Sequence, residues 1–378
     1  MRESGQGVAE ASSVRIVNYH PRARVGDGGI TNSVRRLSEA FAVSGVEPVI
    51  AYDGTGRPTL EDGVRWWPVR HIGSGQLRLP VDLAPALEGA DVVVLNSAWS
   101  GGNVRAGAVA RRRGTPYVLA PRGAYDPLIV ARRRAVKRVW WTLLERRLVA
   151  GAAAVHVFFD DQRGDVDALG YHGDVVVAPN GVRVPDDRRW DGGSGGYVVY
   201  LGRFDPEHKG IDLLLEAVAS MPFADRPDLR LHGPDWAGGK AKVVELVDRL
   251  GVADHVTVGG AVYGDEKWEL IARSVGLVYP SRWEGFGNSL AEAAALGVPT
   301  LATPYPLARF LADRGACLVV GADPASLADG LRALPGEPAR AMGVRARQVV
   351  IDELRWDAVA RRWIEELEHS VVRSRGLG

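Results

Sequence analysis

Cysteine is almost missing from this chain of 378 residues; Cys317 is the only one. An intramolecular disulfide is therefore excluded, and a zinc site built on thiolates lacks its ligands. Long apolar runs are missing as well, and no stretch reaches the roughly 18 residues of a membrane-spanning helix. Nor is there an excess of one charge. With 47 basic against 46 acidic residues, nothing global draws the chain to nucleic acid. Residues 1–13 are small and polar and lack the apolar core of a secretory signal. They are expected to form a disordered tail on a cytoplasmic protein.

What is present is the balance of a folded chain, 46% hydrophobic and 25% charged, long enough for two or three domains. Its 46 glycines and 22 prolines fit many short turns between alternating elements. Residues 1–180 carry a small basic excess and the remainder a small acidic one, as in a protein whose halves meet different partners. No repeat of solenoid or propeller length is visible.

The pattern is strand, turn, helix, twice over. Apolar runs at 14–18, 48–52, 64–69, 91–95, 116–120, 153–159 and 175–178 predict strands, several of them continuous enough for parallel strands buried on both faces. Ile30, Val34, Leu37 and Phe41 follow the loop at 26–29 with helical spacing. Residues 183–196 are turn and linker chemistry. Alternation then restarts, with strands at 197–201, 229–232, 255–258, 276–280, 299–302 and 317–320. We expect a first doubly wound α/β domain at 14–182, a linker at 183–196, a second domain at 197–355, and a closing helix at 356–378 packed across the domains. Ligands in such sheets bind beyond the carboxyl ends of the strands, here in the cleft between the domains.

Two segments carry chemistry. In the first, the strand at 197–201 leads into Gly202-Arg203, and Lys209 follows just before a helix. Two cations on the ligand edge of a sheet, beside a helix N-terminus, suit a diphosphate; two solvated loop residues are the bland alternative. In the second, a strand ends at Pro280, a loop bears Glu284, and a helix starts near Asn288. Gly285 and Gly287 allow close backbone approach, and the N–H groups of Gly287, Asn288, Ser289 and Leu290 are expected to point at an anion. Glu284 and Glu292 can each hold a sugar diol. A capped core helix, with Glu292 paired to an arginine, is the alternative.

These residues, with Gly28-Gly29, Pro179-Asn180-Gly181-Val182, Lys209-Gly210, His232-Gly233-Pro234 and Val258-Gly259-Gly260 in this order, make the chain resemble retaining glycosyltransferases of family 4 from Val14 to the closing helix. The resemblance implies a GT-B fold, two Rossmann-like domains around a cleft. It further implies that Arg203, Lys209 and Glu284 are catalytic, the two cations holding the donor diphosphate. Glu292 then binds the ribose, Glu284 with the backbone at 286–290 (Phe286, Gly287, Asn288, Ser289, Leu290) holds the transferred sugar and phosphates, and Gly233 borders the donor. Gly28 and Gly29 let the first loop close on the phosphate. No metal or cofactor is implied. The donor is a nucleoside-diphosphate sugar, UDP ahead of GDP, and the acceptor a carbohydrate, lipid-linked or small-molecule hydroxyl in surface polysaccharide or glycoconjugate synthesis.

The acceptor side departs from the family. Relatives often carry Pro-His-Gly where this chain has Pro121-Arg122-Gly123, and the segment Asn96-Ser97-Ala98-Trp99-Ser100 also differs from theirs. Asn96, Trp99 and Arg122 are therefore the expected acceptor or sugar contacts, Arg122 meeting the diphosphate or an acidic group. These changes leave open a small natural product as acceptor, or a sugar-nucleotide-binding subunit without turnover. Residues 131–148 are basic and amphipathic, with Val136, Val139, Trp140, Leu143 and Leu144 on one face. We expect that face to pack on the chain's own sheet, with peripheral membrane contact as the alternative. His156 is expected to be a core residue.

Overall fold

The computed structural model describes residues 14–24 and 28–374. The expected tail at 1–13, residues 25–27 of the first glycine loop and the end of the closing helix at 375–378 lie outside them.

Two sheets organise the chain. The first has eight strands in the order Asp174–Val177, Ala154–Val157, Tyr117–Ala120, Val92–Asn96, Arg15–Tyr19, Glu47–Asp53, Val64–Val69 and Thr59–Glu61. All neighbours are parallel except the last pair. The apolar runs explain the central strands: every residue of Val92–Asn96 and Tyr117–Ala120 is buried, because crossover helices cover both faces of a parallel sheet. The second sheet is wholly parallel, in the order Val256–Val258, Asp228–His232, Tyr197–Leu201, Gly276–Tyr279, Thr300–Ala302 and Leu318–Val319. Among the described residues, no helix is long and apolar enough to cross a membrane.

Residues 183–196 are not a loose tether. The Trp190 backbone N–H donates to Leu296 at 2.9 Å, and its indole N–H donates to Ser274 O at 2.8 Å. The final helix, Trp356–Ser374, returns to the first sheet. Val359, Trp363, Leu367 and Val371 recur at helical spacing and join Ile16, Leu37, Phe41 and Val92 in one core. Trp363 is fully buried, so truncating it to alanine costs roughly 3–5 kcal/mol. His156 is buried as expected, stacked on Trp363 at 4.5 Å and bonded to Ala178 O at 2.8 Å.

The expectation for residues 131–148 is corrected. Val136, Val139 and Leu143 are exposed rather than packed on the sheet. The segment is not one regular helix. Arg133 takes a left-handed backbone (φ 53°) before the short helix Arg134–Trp140, and Trp141–Glu145 winds as a wider π turn. Trp140 and Leu144 are half-buried and Trp141 packs on the first-sheet core, so the expected face is split and Val136, Val139 and Leu143 are left uncovered.

Candidate active site

Three successive crossings of the second sheet bring its charged residues to the cleft. The strand Tyr197–Leu201 ends at Gly202, and Arg203 follows. Its guanidinium donates from Nη2 to His208 Nδ1 at 2.9 Å, lies 3.8 Å from an Asp205 carboxylate oxygen, and sits 4.5 Å over the Trp236 ring. The buried Arg203 Nε has no hydrogen-bond partner. His208 stacks on Trp283 at 3.5 Å, and its Nε2 donates to Trp283 O at 3.0 Å. Burial and then the neighbouring Lys209 push the imidazole down to about 4, so it is neutral and free to accept from Arg203.

Lys209 is buried and forms an ion pair with Glu284, whose Oε1 also accepts from Ser281 Oγ at 2.7 Å. The same ammonium reaches the Tyr279 hydroxyl at 3.2 Å. Lys209 and Glu284 therefore share one polar cluster although 75 residues separate them. Glu292 instead pairs with Lys267, Nζ to Oε1 2.6 Å, not with an arginine. Gly233 donates its N–H to Gly260 O at 3.1 Å, and a Cβ on it would collide with Gly202 O.

The helix Asn288–Leu296 starts from Gly287, whose φ of 101° and close approach to the Tyr305 ring require glycine. One expected donor is corrected. The Leu290 N–H turns back to Gly287 O at 3.1 Å, because the first helical turn closes on the cap carbonyl, and Leu290 itself is buried. Across the cleft, the helix Gly29–Val43 begins after Gly28, and a Cβ on Gly29 would lie 3.1 Å from Asn288 Nδ2. Two helix N-termini, one from each sheet, thus face each other, and their dipoles add at the same gap. Phe286 is buried against Phe159 (ring centroids 6.0 Å apart), and Arg309 pairs with Asp161 at 2.6 Å; both contacts join the halves. Nearby, a Cβ on Gly123 (φ 83°) would collide with the Cα of Gly285.

The first sheet contributes polar groups around one buried cation. Arg122, 9% exposed and left-handed (φ 55°), donates to Asn96 Oδ1 at 2.7 and 3.1 Å and to Asn180 Oδ1 at 3.2 Å. Among the described residues it forms no ion pair, and burial pushes it down to about 10. Burial, then Arg122, then Arg22 hold His20 at about 4. Trp99 is taken up within the fold: its indole N–H donates to Ala124 O at 3.0 Å, and it packs on Tyr125 and Trp141.

Sequence reasoning did not find Lys267, His208 or Trp236 as neighbours of the site. His208 stood beside Lys209, and Asn180 stood within the quoted Pro-Asn-Gly motif; Lys267 and Trp236 had no local signal.

Residues 28–181 match the family model described as glycosyl transferase 4-like domain, and residues 195–335 match that described as glycosyl transferases group 1. The phosphatidyl-myo-inositol mannosyltransferase of Mycobacterium leprae is 31% identical over 216 residues, covering 53% of this chain and 54% of that protein. The MMP alpha-(1->4)-mannosyltransferase of Mycolicibacterium hassiacum is 27% identical over 181 residues, 47% of this chain and 44% of that protein. The chain spans about half the length of the curated relatives it matches. Among solved structures, sucrose-phosphate synthase from Thermosynechococcus elongatus superposes with a TM-score of 0.75 at 18% identity, over 96% of this chain and 100% of that one. The Anabaena protein HepE, in complex with UDP and glucose, gives 0.73 at 16%, over 94% and 100%. The fold is GT-B.

Proposed function

We propose that this GT-B chain, whose halves match two glycosyltransferase domains, moves a sugar from a nucleoside-diphosphate donor to an acceptor hydroxyl with retention at the anomeric carbon. The observation that carries this reading is the convergence of Arg203, Lys209 and two helix N-termini on one gap in the cleft. A diphosphate needs positive charge and directed N–H donors, and these supply both without a divalent metal. As the bond from the anomeric carbon to the phosphate oxygen breaks, negative charge grows on the leaving diphosphate. Arg203 and Lys209 stabilise that charge more than the ground state, which lowers the barrier. The acceptor oxygen forms its new bond on the face the diphosphate leaves, and its proton passes to a phosphate oxygen. In this reading Glu284, held by Lys209 and Ser281, orients the transferred sugar, and Glu292 holds the ribose.

A UDP-sugar is the donor we favour over a GDP-sugar, on the likeness to HepE. The acceptor is a carbohydrate, lipid-linked or small-molecule hydroxyl in glycoconjugate synthesis. The test is thermal unfolding against UDP, GDP, ADP, dTDP and inorganic phosphate. One nucleotide at a hundred times its dissociation constant adds about 2.7 kcal/mol of stability to the parent. Arg203→Ala and Glu292→Ala should lose that gain. No stabilisation by any nucleotide would sink the donor site and favour a subunit without turnover.

A further inference from the structure

The surface above the first sheet carries apolar side chains that the fold leaves uncovered. Leu128, Val136, Val139 and Leu143 are between 55% and 65% exposed. So are Ile72 and Leu77, on or beside the small hairpin formed by His71–Ile72 and Leu79–Pro80. Residues 99–101 join the two groups. Trp99 packs on Trp141 at 6.3 Å and lies 5.4 Å from Lys137 Nζ, while Gly101 sits against Leu77 and Leu79.

The charge on the first of these groups is strongly basic. Between 127 and 150 stand Arg132, Arg133, Arg134, Lys137, Arg138, Arg146 and Arg147, and a single acid, Glu145. Glu145 is fully buried and bonded to Trp99, Tyr125 and Trp140, so it offers nothing to solvent. None of the seven cations forms an ion pair among the described residues, whereas most basic side chains elsewhere on this sheet's surface do, as Arg36 with Glu39 and Arg70 with Asp82 show. Exposed apolar residues among unpaired cations match a surface with an apolar interior and anionic heads.

We propose that this face docks the chain on an anionic bilayer, inserting Val136, Val139 and Leu143 and the Leu77 hairpin while the arginines lie in the headgroups. The face borders the cleft. Arg132 lies 5.9 Å from the Trp283 ring, which stacks on the histidine that holds Arg203. An acceptor carried by a lipid would therefore reach the reacting groups from the bilayer. Docking stands apart from the glycosyltransferase reading; the choice of a lipid-linked acceptor rests on it.

The test is co-sedimentation of the full chain with vesicles of phosphatidylcholine alone and of equal parts phosphatidylcholine and phosphatidylglycerol. The parent should pellet only with the anionic vesicles, and less as salt is raised. Val136→Asp combined with Val139→Asp should weaken binding by about tenfold or more. Val43→Asp with Val344→Asp, two exposed apolar residues elsewhere, should leave it unchanged. All these sites are exposed, so the thermal midpoints and the response to UDP should stay at parental values. Failure of the parent to bind anionic vesicles overturns the proposal, and so does a Val136/Val139 variant that binds like the parent. Parental binding by Leu77→Asp would overturn the hairpin's part. A missing UDP response would instead count against the donor site alone.

Discussion

The two sheet edges that face each other across the cleft bury polar groups in opposite ways. On the second, cations stand beside carboxylates: Arg203 beside Asp205, Lys209 with Glu284, Lys267 with Glu292. On the first, Asn18, Asn96, Asn180 and a neutral His20 gather with Arg122, whose hydrogen-bond partners are amide oxygens. On the proposed reading, the paired edge could exchange one anion for another, a donor phosphate sharing at Lys209 the attraction that Glu284 supplies. The first edge gives its guanidinium no carboxylate to exchange. Its guanidinium is held by geometry, with one asparagine carbonyl aimed at it from the end of Val92–Asn96 and another from the loop after Asp174–Val177.

The largest break in this comparison should come from the paired edge under turnover. If the proposed reading holds, Lys209→Ala takes charge away from the leaving group and frees Glu284, and kcat/KM should fall by about 10²–10³. Steady-state assays with the donor identified by thermal unfolding check this; retention of parental kcat/KM would remove Lys209 from the chemistry. The first edge should dominate stability instead. Arg122→Met leaves Asn96 Oδ1 and Asn180 Oδ1 without their donor and should cost about 2 kcal/mol in denaturant unfolding. Arg203→Ala, at a half-exposed site, should cost less; the reverse order would break the comparison.

A further effect is in pH. His20 and His208 are held at about 4, whereas a histidine in the unfolded chain titrates near 6.5. The unfolded chain takes up protons between those values that the native chain refuses. Stability from these residues is therefore complete above pH 6.5 and declines as pH falls from 6.5 through 4. Urea midpoints measured across that window should drop steadily with acid, and a flat profile would show that the imidazoles are not buried neutral.

Much of the fold was legible because parallel strands and their crossover helices leave a strong apolar rhythm. Val92–Asn96 and Gly276–Tyr279 announced themselves by composition alone. Thr59–Glu61 did not, since all three residues are exposed and no alternation marks an edge strand that turns back antiparallel. The hairpin at His71–Ile72 has strands of two residues, too short for any period. Within the site, residue types and their order were readable, and the partnerships were not. Nothing local in the sequence couples Lys209 to Glu284 or Arg122 to Asn180, since each pair meets only when separate strands end at the same edge. The exposed face at 134–145 was misjudged for a related reason: the buried Glu145 is held by Trp99, Tyr125 and Trp140 from separate segments, and the periodicity within 134–145 shows none of those contacts.

Gly123 and Gly285 meet with main chain against main chain. Where other parts of the cleft are lined by side chains that can change rotamer, this point has nothing to swing aside. The two halves can come no nearer there than the thickness of two peptide backbones, so the junction acts as a fixed stop for closure. The least spacing of the cleft at this point is written in two residues that have no side chain.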